Sequence, residues 1–348
     1  MSKNALETLW IPFVQGALSY PDPGQKVLFL GAQNHPELTR FKSLRVSQDF
    51  YPYAVSLKTR FPELLLEKPA FVPGSVDMAL CLVPSQTQWA QGMLAEALLS
   101  LKPGGVLMAA AGNDAGGKRL PAWFRQAGLF VHSQSKNHAR VVWGTTENLH
   151  RDVVMGWHKA AAAQEKNIEG EMFWTEPGLF SWNRVDMGSR ILAEFLPHDL
   201  TGIAGDFGCG YGWLSRQILV KNKTLKALYV MDADRRAVTA CVKNLRITHP
   251  NIEVTGIWTD LTQRDQRLPK LDVIVMNPPF HEGKKTDIDI GHQFIENAAG
   301  CLKPGGQIWM VANQHLPYEV ILMTYFSHVI PIAEKNGFKI FNAWKESA

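Results

Sequence analysis

Short apolar runs alternate with amphipathic stretches along the whole chain. In the second half the apolar runs are Ile203–Phe207, Ala227–Met231, Glu253–Ile257, Val273–Met276 and Gln307–Val311, with helical periodicity between them. Runs that stay apolar at consecutive positions are strands buried on both faces. Strand and helix in alternation predict an α/β fold with a mostly parallel sheet covered on both sides. Phe338–Trp344 adds a further strand near the end, as for a hairpin closing the sheet edge.

The pattern occurs twice. Leu101-Lys102-Pro103-Gly104-Gly105 precedes the apolar run Val106–Ala111, and Leu302-Lys303-Pro304-Gly305-Gly306 precedes Ile308–Ala312, an offset of 201 residues. Upstream of each, an aspartate leads an apolar strand: Asp77 before Met78–Val83, Asp272 before Val273–Met276. Downstream of each, a helix-like stretch ends near Ala127-Gly128 or Asn336-Gly337 and a β-rich segment follows. Four features in one order imply duplication of one α/β unit. The boundary is expected near 165/166, in Ala160–Lys166, a run without apolar periodicity that fits either a linker or a helix end.

Composition narrows the class. Hydrophobic residues make up 46% and charged residues 20%, as in a folded globular protein. The longest membrane-span candidate, Tyr318–Ala333, is broken by Glu319, His328 and Pro331, and the N-terminus has no signal-peptide pattern. The four cysteines are scattered with no Cys-x-x-Cys, so neither a zinc site nor a disulfide framework is expected and a reducing cytoplasm is the default. The 11 tryptophans are read as mostly core. A monomer without metal is expected. The net charge of +4 resides in residues 1–165, which hold 16 Lys and Arg against 12 Asp and Glu, a weak pointer to a polyanion at that half.

Candidate chemistry begins at Asp206-Phe207-Gly208-Cys209-Gly210-Tyr211-Gly212, between a strand and the helical run Leu214–Val220. Glycines at such a turn let the backbone approach a ligand, and ligands of open α/β sheets bind beyond the carboxyl ends of the strands. Asp232 ends the next strand and is placed to accept from both hydroxyls of a ribose; Asp260, after the third strand, is placed to meet an adenine amino group. A nicotinamide dinucleotide fits the first two features too. The Asp-x-Gly-x-Gly-x-Gly spacing instead suits S-adenosylmethionine, which has no pyrophosphate to cradle, with Asp206, Gly208, Gly210 and Gly212 at its methionine portion.

The fourth strand ends in Asn277-Pro278-Pro279-Phe280. Two prolines cannot continue a ladder and fix a rigid extended turn at the sheet edge. The Asn277 side-chain oxygen and the Pro278 carbonyl are two acceptors for the two hydrogens of an exocyclic amine. Gripping both draws the nitrogen toward tetrahedral and frees its lone pair for in-line attack on a methyl group. Phe280 is placed to stack on a base, worth roughly 1–3 kcal/mol, which offsets much of the cost of flipping that base from a helix.

These motifs resemble the class I methyltransferases of amino nitrogens. More narrowly, Pro177-Gly178-Leu179-Phe180-Ser181, Asp186-x-Gly188-Ser189, Asn277-Pro278-Pro279-Phe280-His281-x-Gly283 and Ala312-Asn313-x-x-Leu316-Pro317-Tyr318 resemble the bacterial ribosomal RNA guanine-N2 methyltransferases, both the C type, which modifies small-subunit RNA, and the G type, which modifies large-subunit RNA. The resemblance covers about 170–348, and the duplicated plan extends it to the whole chain. It implies two tandem Rossmann-like domains: a degenerate one over 1–165 that positions RNA or supports its neighbour, and a catalytic one over 166–348. It also implies that the segment Phe180–Ser189 folds over the cofactor's methionine end with Asp186 and Ser189 as polar contacts, although either residue type also serves as a helix N-cap. The first half agrees with such a loss. Val27–Asn34 carries one glycine and no preceding aspartate, and Val83-Pro84-Ser85 stands where Asn-Pro-Pro-Phe would be. His281, Lys284 and Lys285 are candidate contacts to substrate or RNA phosphates. The same Asn-Pro-Pro chemistry serves adenine N6 or a protein glutamine amide, and a non-catalytic ribosome-assembly factor is the alternative from another class.

Overall fold

The computed structural model describes residues 3–64, 72–264, 268–279 and 285–347. The chain divides into two compact units, Met1–Ala163 with Glu176–Gly178, and Gln164–Thr175 with Leu179–Ala348. The expected division at 165/166 falls inside a strand. The polar run around Ala162 is no free linker, because a helix ends at Ala161 and a strand begins at Gln164.

The first unit contains helices α1 (Lys3–Leu9), α2 (Ile11–Val14), α3 (Tyr51–Arg60), α4 (Thr87–Ser100), α5 (Leu120–Gln126) and α6 (Arg151–Ala161). Its strands are β1 (Val27–Leu30), β2 (Leu44–Ser47), β3 (Val76–Leu82), β4 (Leu101–Gly112), β5 (His132–Lys136) and β6 (Ala139–Thr145), in the order β2-β1-β3-β4-β6-β5. Central β1 is buried at every position, as its unbroken apolar run requires.

The second unit opens with a two-stranded sheet, β7 (Gln164–Ile168) and β8 (Glu171–Thr175). Its main sheet has the order β11-β10-β9-β12-β13-β15-β14, made of β9 (Gly202–Phe207), β10 (Leu225–Asp232), β11 (Glu253–Trp258), β12 (Leu271–Met276), β13 (Leu302–Asn313), β14 (His328–Lys335) and β15 (Phe338–Trp344). Helices α7 (Met187–Phe195), α8 (Trp213–Lys221), α9 (Arg235–Thr248), α10 (Lys285–Cys301) and α11 (Tyr318–Tyr325) complete it. Two apolar layers cover the sheet. One gathers Ile191, Leu214, Ile218 and Leu245; the other gathers Phe294, Ile295, Tyr318 and Leu322. Tyr318, which ends the fourth family-like motif, is fully buried, and a Cβ on Gly291 of α10 would overlap its hydroxyl. No helix among the described residues is long and apolar enough to cross a membrane.

Strand for strand, β2-β1-β3-β4-β6-β5 matches β10-β9-β12-β13-β15-β14; among the described residues, β11 of the second main sheet and the separate pair β7-β8 have no counterpart. The repeated sequence features turn out to be one device. Asp77 accepts from the Lys26 amide at 2.8 Å and from Lys102 Nζ at 2.6 Å. Asp272 accepts from the Ile203 amide at 2.7 Å and from Lys303 Nζ at 2.8 Å. The aspartate thus ties the entry of the first strand to the lysine of the Lys-Pro-Gly-Gly turn. The ladder skips the same four residues in both units, from Leu101 to Val106 and from Leu302 to Gln307. Gly104 and Gly305 supply φ of 75° and 74°, which L-residues rarely adopt. A Cβ on Gly105 or Gly306 would press within 3.1 Å of the Asp77 or Asp272 carbonyl oxygen.

One expectation needs correction. Ala127-Gly128 does follow a helix, α5, but Asn336-Gly337 does not end one. Helix α11 stops at Tyr325, and Asn336 and Gly337, with φ of 50° and 81°, are the hairpin turn between β14 and β15. Asn-Gly suits a type I′ hairpin turn as well as a helix end. Edge strand β14, absent from the sequence reading, carries exposed Ile330 and Ile332 within an apolar stretch that does not alternate cleanly.

Asp272→Ala removes the acceptor of the Ile203 amide as well as the partner of Lys303. A loss of about 1–2 kcal/mol is expected from the amide alone, with little from the solvent-screened ion pair. Burial pushes the Asp272 carboxyl up, but Lys303 and the Ile203 amide outweigh it and hold it below the usual carboxylate range. The contribution is therefore present at neutral pH and lost as pH falls through that lowered value. Denaturant melts of both proteins at neutral and acid pH should show the stability difference shrinking with acidity; a constant difference contradicts the assignment.

Candidate active site

The site is built where β9 and β12 end side by side. They pair in parallel with Phe207 opposite Met276, so Gly208 and Asn277 leave the sheet together. The loop after β9 turns back over the end of β10: the Gly208 and Cys209 amides both donate to the Met231 carbonyl, at 2.9 and 3.0 Å. Gly208, Gly210 and Gly212 have φ of 84°, 51° and 94°. Their reasons differ. Gly212 caps α8, and a Cβ there would stand 2.8 Å from Cys241 Sγ. A Cβ on Gly210 would meet nothing within 4 Å, and one on Gly208 nothing nearer than 3.8 Å. Gly212 is therefore a packing glycine, whereas Gly208 and Gly210 leave an open cradle of backbone.

That cradle is one wall of a cleft of about 400 Å³, counted with its open mouth, which is also lined by Asp186, Ser189, Tyr211 and Asn277. Five expected site residues, Asp186, Ser189, Gly208, Gly210 and Asn277, thus meet in one place although up to 91 positions separate them. Asp186 is the N-cap of α7 and accepts from the Ser189 amide at 2.9 Å. Asn277 Nδ2 donates to Asp186 Oδ2 at 2.7 Å and to Ser189 Oγ at 2.9 Å. Pro278 is buried and Pro279 exposed. Phe280, His281 and Lys284 lie outside the described residues, as does the side chain of Lys285, whose backbone opens α10.

Asp232 closes the loop from the other side. Its Oδ2 accepts from the Gly210 amide at 3.0 Å and its Oδ1 from the Asp234 amide at 2.9 Å. Burial pushes its carboxyl up to about 6, against the pull of those amides. The strand end carrying Asp260 is tied in by the Thr259 amide, which donates to the Asp232 carbonyl at 3.1 Å. Asp260 Oδ1 is occupied by the Thr262 amide and hydroxyl, at 2.9 and 2.6 Å.

Asp206, expected at a ligand, takes a different place. It is fully buried beneath the loop and absent from the lining of the cleft. Ser215 in the first turn of α8 donates to its Oδ2, and among the described residues its Oδ1 has no hydrogen-bond partner. Burial pushes its carboxyl up to about 7; the Ser215 bond opposes the rise and the Asp232 charge adds to it. The aspartate at the head of the glycine motif holds the loop from behind.

The sequence reading missed several wall residues. Phe180, the first residue of the segment that the family resemblance places over the cofactor's methionine end but singled out for no contact, stands at the cleft with 65% exposure, beside Ser181 at φ 48°. Tyr211, Trp213 and Leu214 also line it. Buried Asn244 braces this wall: its Nδ2 donates to the Tyr211 and Trp174 carbonyls, both at 2.8 Å, and its Oδ1 accepts from the Trp174 amide at 2.7 Å. No local motif marks Asn244, because its partners lie on elements far away in sequence.

The corresponding strand ends of the first unit are closed. Gln48, just after β2, stands at the position that Asp232 holds at the end of β10. Its Oε1 accepts from the Phe50 amide at 2.8 Å, as Asp232 does from Asp234, but its Nε2 donates to the Ala32 carbonyl at 2.6 Å. A buried amide here fills its own hydrogen bonds and leaves no carboxylate for a ribose.

The family model described as methyltransferase small domain matches residues 170–342. Ribosomal RNA small subunit methyltransferase C of Aliivibrio fischeri is 29% identical over 276 residues, covering 78% of this chain and 79% of that protein. The protein of the same name from Photorhabdus laumondii is 28% identical over 312 residues, covering 87% and 88%. Among solved structures, the Thermus thermophilus 16S rRNA N2 G1207 methyltransferase, in complex with AdoMet and guanosine, superposes with a TM-score of 0.80 at 22% identity, covering 98% of this chain and 92% of that one. At that identity the likeness speaks for the fold.

The raised carboxyl of Asp206 has a measurable consequence in the ligand-free protein. Because its folded value lies above the unfolded one, it favours folding at acid pH, and that advantage is lost as pH rises through about 7. Asp206→Asn removes this dependence. The melting temperature of wild type relative to the variant should fall by several degrees between about pH 5 and about pH 8; parallel curves contradict the buried-carboxyl assignment.

Proposed function

We propose that this chain, which belongs to the methyltransferase small-domain family of class I S-adenosylmethionine-dependent methyltransferases, methylates the exocyclic N2 amine of a guanine in small-subunit ribosomal RNA. The observation that carries the proposal is the meeting of Asn277 with the open backbone of Gly208 and Gly210 in one cleft. The two relatives reported above are ribosomal RNA small subunit methyltransferases C along most of their length, and the structural neighbour's two ligands are the two the cleft is proposed to take.

The cleft fits the cofactor on its own terms. Gly208 and Gly210 leave space that a side chain would fill, and Asp232 presents a carboxylate already aligned by two backbone amides. In this reading Gly208 and Gly210 hold the methionine portion, Asp232 the ribose and Asp260 the adenine, while Asp206 and Gly212 keep the loop in shape. When bound, S-adenosylmethionine supplies a methyl group on a sulfonium, electrophilic enough for a neutral amine. Asn277 Oδ1 and the Pro278 carbonyl accept the two amine hydrogens and orient the nitrogen's lone pair. No tuned general base is required, since the amine can release its proton once it has become cationic. Electrostatic alignment of this kind acts through donors and acceptors fixed before the reaction.

The first unit, with Gln48 closing its strand end, binds no cofactor in this reading and serves to position RNA or support its neighbour; the two roles follow from its charge excess and its retained fold. The site of action is the cytoplasm, where ribosomal RNA is assembled into subunits.

Under-methylated small subunits or their naked RNA, incubated with tritium-methyl cofactor and digested to nucleosides, should yield N2-methylguanosine; label in N6-methyladenosine or in protein instead overturns the substrate. Asn277→Ala should bind cofactor within about twofold of wild type and lose at least about 100-fold in turnover. Full activity in that variant removes the amine-gripping role. Both Asp232 oxygens act purely as acceptors for the two ribose hydroxyls only when the carboxyl is ionised, so cofactor affinity should weaken as pH falls through about 6. Asp232→Ala should be weak at every pH, and calorimetry that finds equal affinity at both ends of the range refutes the ribose contact.

A further inference from the structure

We propose that Asp186 and Ser189 are positioning residues that lock the Asn277 side chain with its oxygen as the acceptor offered to the target amine. The inference rests on the methyltransferase reading and deepens it, because it reassigns two residues expected at the cofactor to the control of substrate chemistry.

An asparagine side chain has one end that donates twice and one that accepts, and rotation by half a turn exchanges them. An ionised carboxylate can only accept. The Asn277 atom 2.7 Å from Asp186 Oδ2 must therefore be the nitrogen. The second hydrogen of that nitrogen goes to Ser189 Oγ at 2.9 Å. Both donors are thus used on one side, and among the described residues nothing bonds to Oδ1. The clamp is stiff. Asp186 is the N-cap of α7 and is itself held by the Ser189 amide, so the two acceptors share one helix turn. Gly188, between them, lies so close that a Cβ there would stand 3.2 Å from Asp186 Oδ2, 3.4 Å from Asn277 Nδ2 and 3.2 Å from Phe338 Cε1.

The consequence is selection by polarity. With the amide locked, the cleft offers an acceptor beside the acceptor carbonyl of Pro278, which matches a ligand nitrogen carrying two hydrogens. A ring nitrogen without a hydrogen, or a carbonyl, can only accept and finds no donor there. Were the amide free to turn, half of its orientations would face the amine with Nδ2 and repel it. Loss of the clamp should thus lower the rate of the bound complex more than the binding of either ligand.

The test measures cofactor affinity, RNA KM and kcat for Ser189→Ala, Ser189→Thr and Asp186→Ala, each with Asn277 intact and with Asn277→Ala. Ser189→Ala, which leaves the helix cap in place, should lower kcat about tenfold with cofactor affinity and KM within about twofold. Ser189→Thr, which keeps the hydroxyl, should retain most of the rate. Asp186→Ala should lower kcat further still, and neither substitution should add to the loss caused by Asn277→Ala, since both act through that residue. A tenfold loss of cofactor affinity with kcat kept, or an equal loss in the Asn277→Ala background, overturns the proposal and returns the pair to the cofactor. An independent readout uses the ligand-free protein: the Asn277 side-chain amide protons should exchange slowly by NMR in wild type and faster in Ser189→Ala. Rapid exchange in wild type overturns the clamp even if methylation is confirmed. Slow exchange in a protein that yields no methylated guanine leaves the clamp standing and overturns the substrate reading alone.

Discussion

The site depends on one parallel pairing, that of β9 with β12. Both strands are buried and apolar, so their register is set by the core, with Met276 opposite Phe207. Everything functional hangs on the next residue of each strand. Gly208 turns into the open cradle and Asn277 into the acceptor turn, and a Cβ on Gly208 would already come to 3.8 Å from the Asn277 carbonyl oxygen. A slip of one residue would send each side chain of the moved strand to the opposite face. Core packing thus does the work of bringing the glycine loop and Asn277, far apart in sequence, to one cleft.

Around that pairing the polar groups fall into two layers with different tasks. Asn277 and the backbone of Gly208 and Gly210 line the cleft, and Asp232 braces that loop through the Gly210 amide. Asp206, Ser215, Cys241 and Asn244 stand behind and hold the loop and its neighbouring wall. Burying the carboxyls of Asp206 and Asp232 close together costs stability at neutral pH, as their raised values of about 7 and about 6 record. A cost of this kind concentrated around one loop is what a fold carries at a functional site.

The two units show which parts of the ancestral plan are structural and which chemical. Both keep the aspartate that ties strand entry to the Lys-Pro-Gly-Gly turn, with nearly the same distances and the same skipped residues. Only the second keeps the open glycine loop and the acidic strand end. In the first, Gln48 makes the loop bond through its amide and closes the position. The tie serves the fold of each unit, whereas the amide of Gln48 satisfies itself within its own loop.

The sequence alone determined the parallel sheet, the duplication, the strand ends and the residue types at Asn277, Gly208, Gly210 and Asp232, because apolar periodicity and turn chemistry are local properties of the chain. It left open whether Ala160–Lys166 was a linker or a helix end, assigned Asn336-Gly337 to a helix end, and passed over edge strand β14. Short turns serve several structures, and an edge strand answers to its neighbours more than to its own pattern. What only the tertiary structure decided is the division of labour among residues of one motif. Gly212 packs while Gly210 stays open, Asp206 lies behind the loop, and Asp186 and Ser189 bond to Asn277 across some 90 positions. A hydrogen bond is fixed by where two groups meet in space, and spacing along a chain carries no record of that meeting until the sheet has formed.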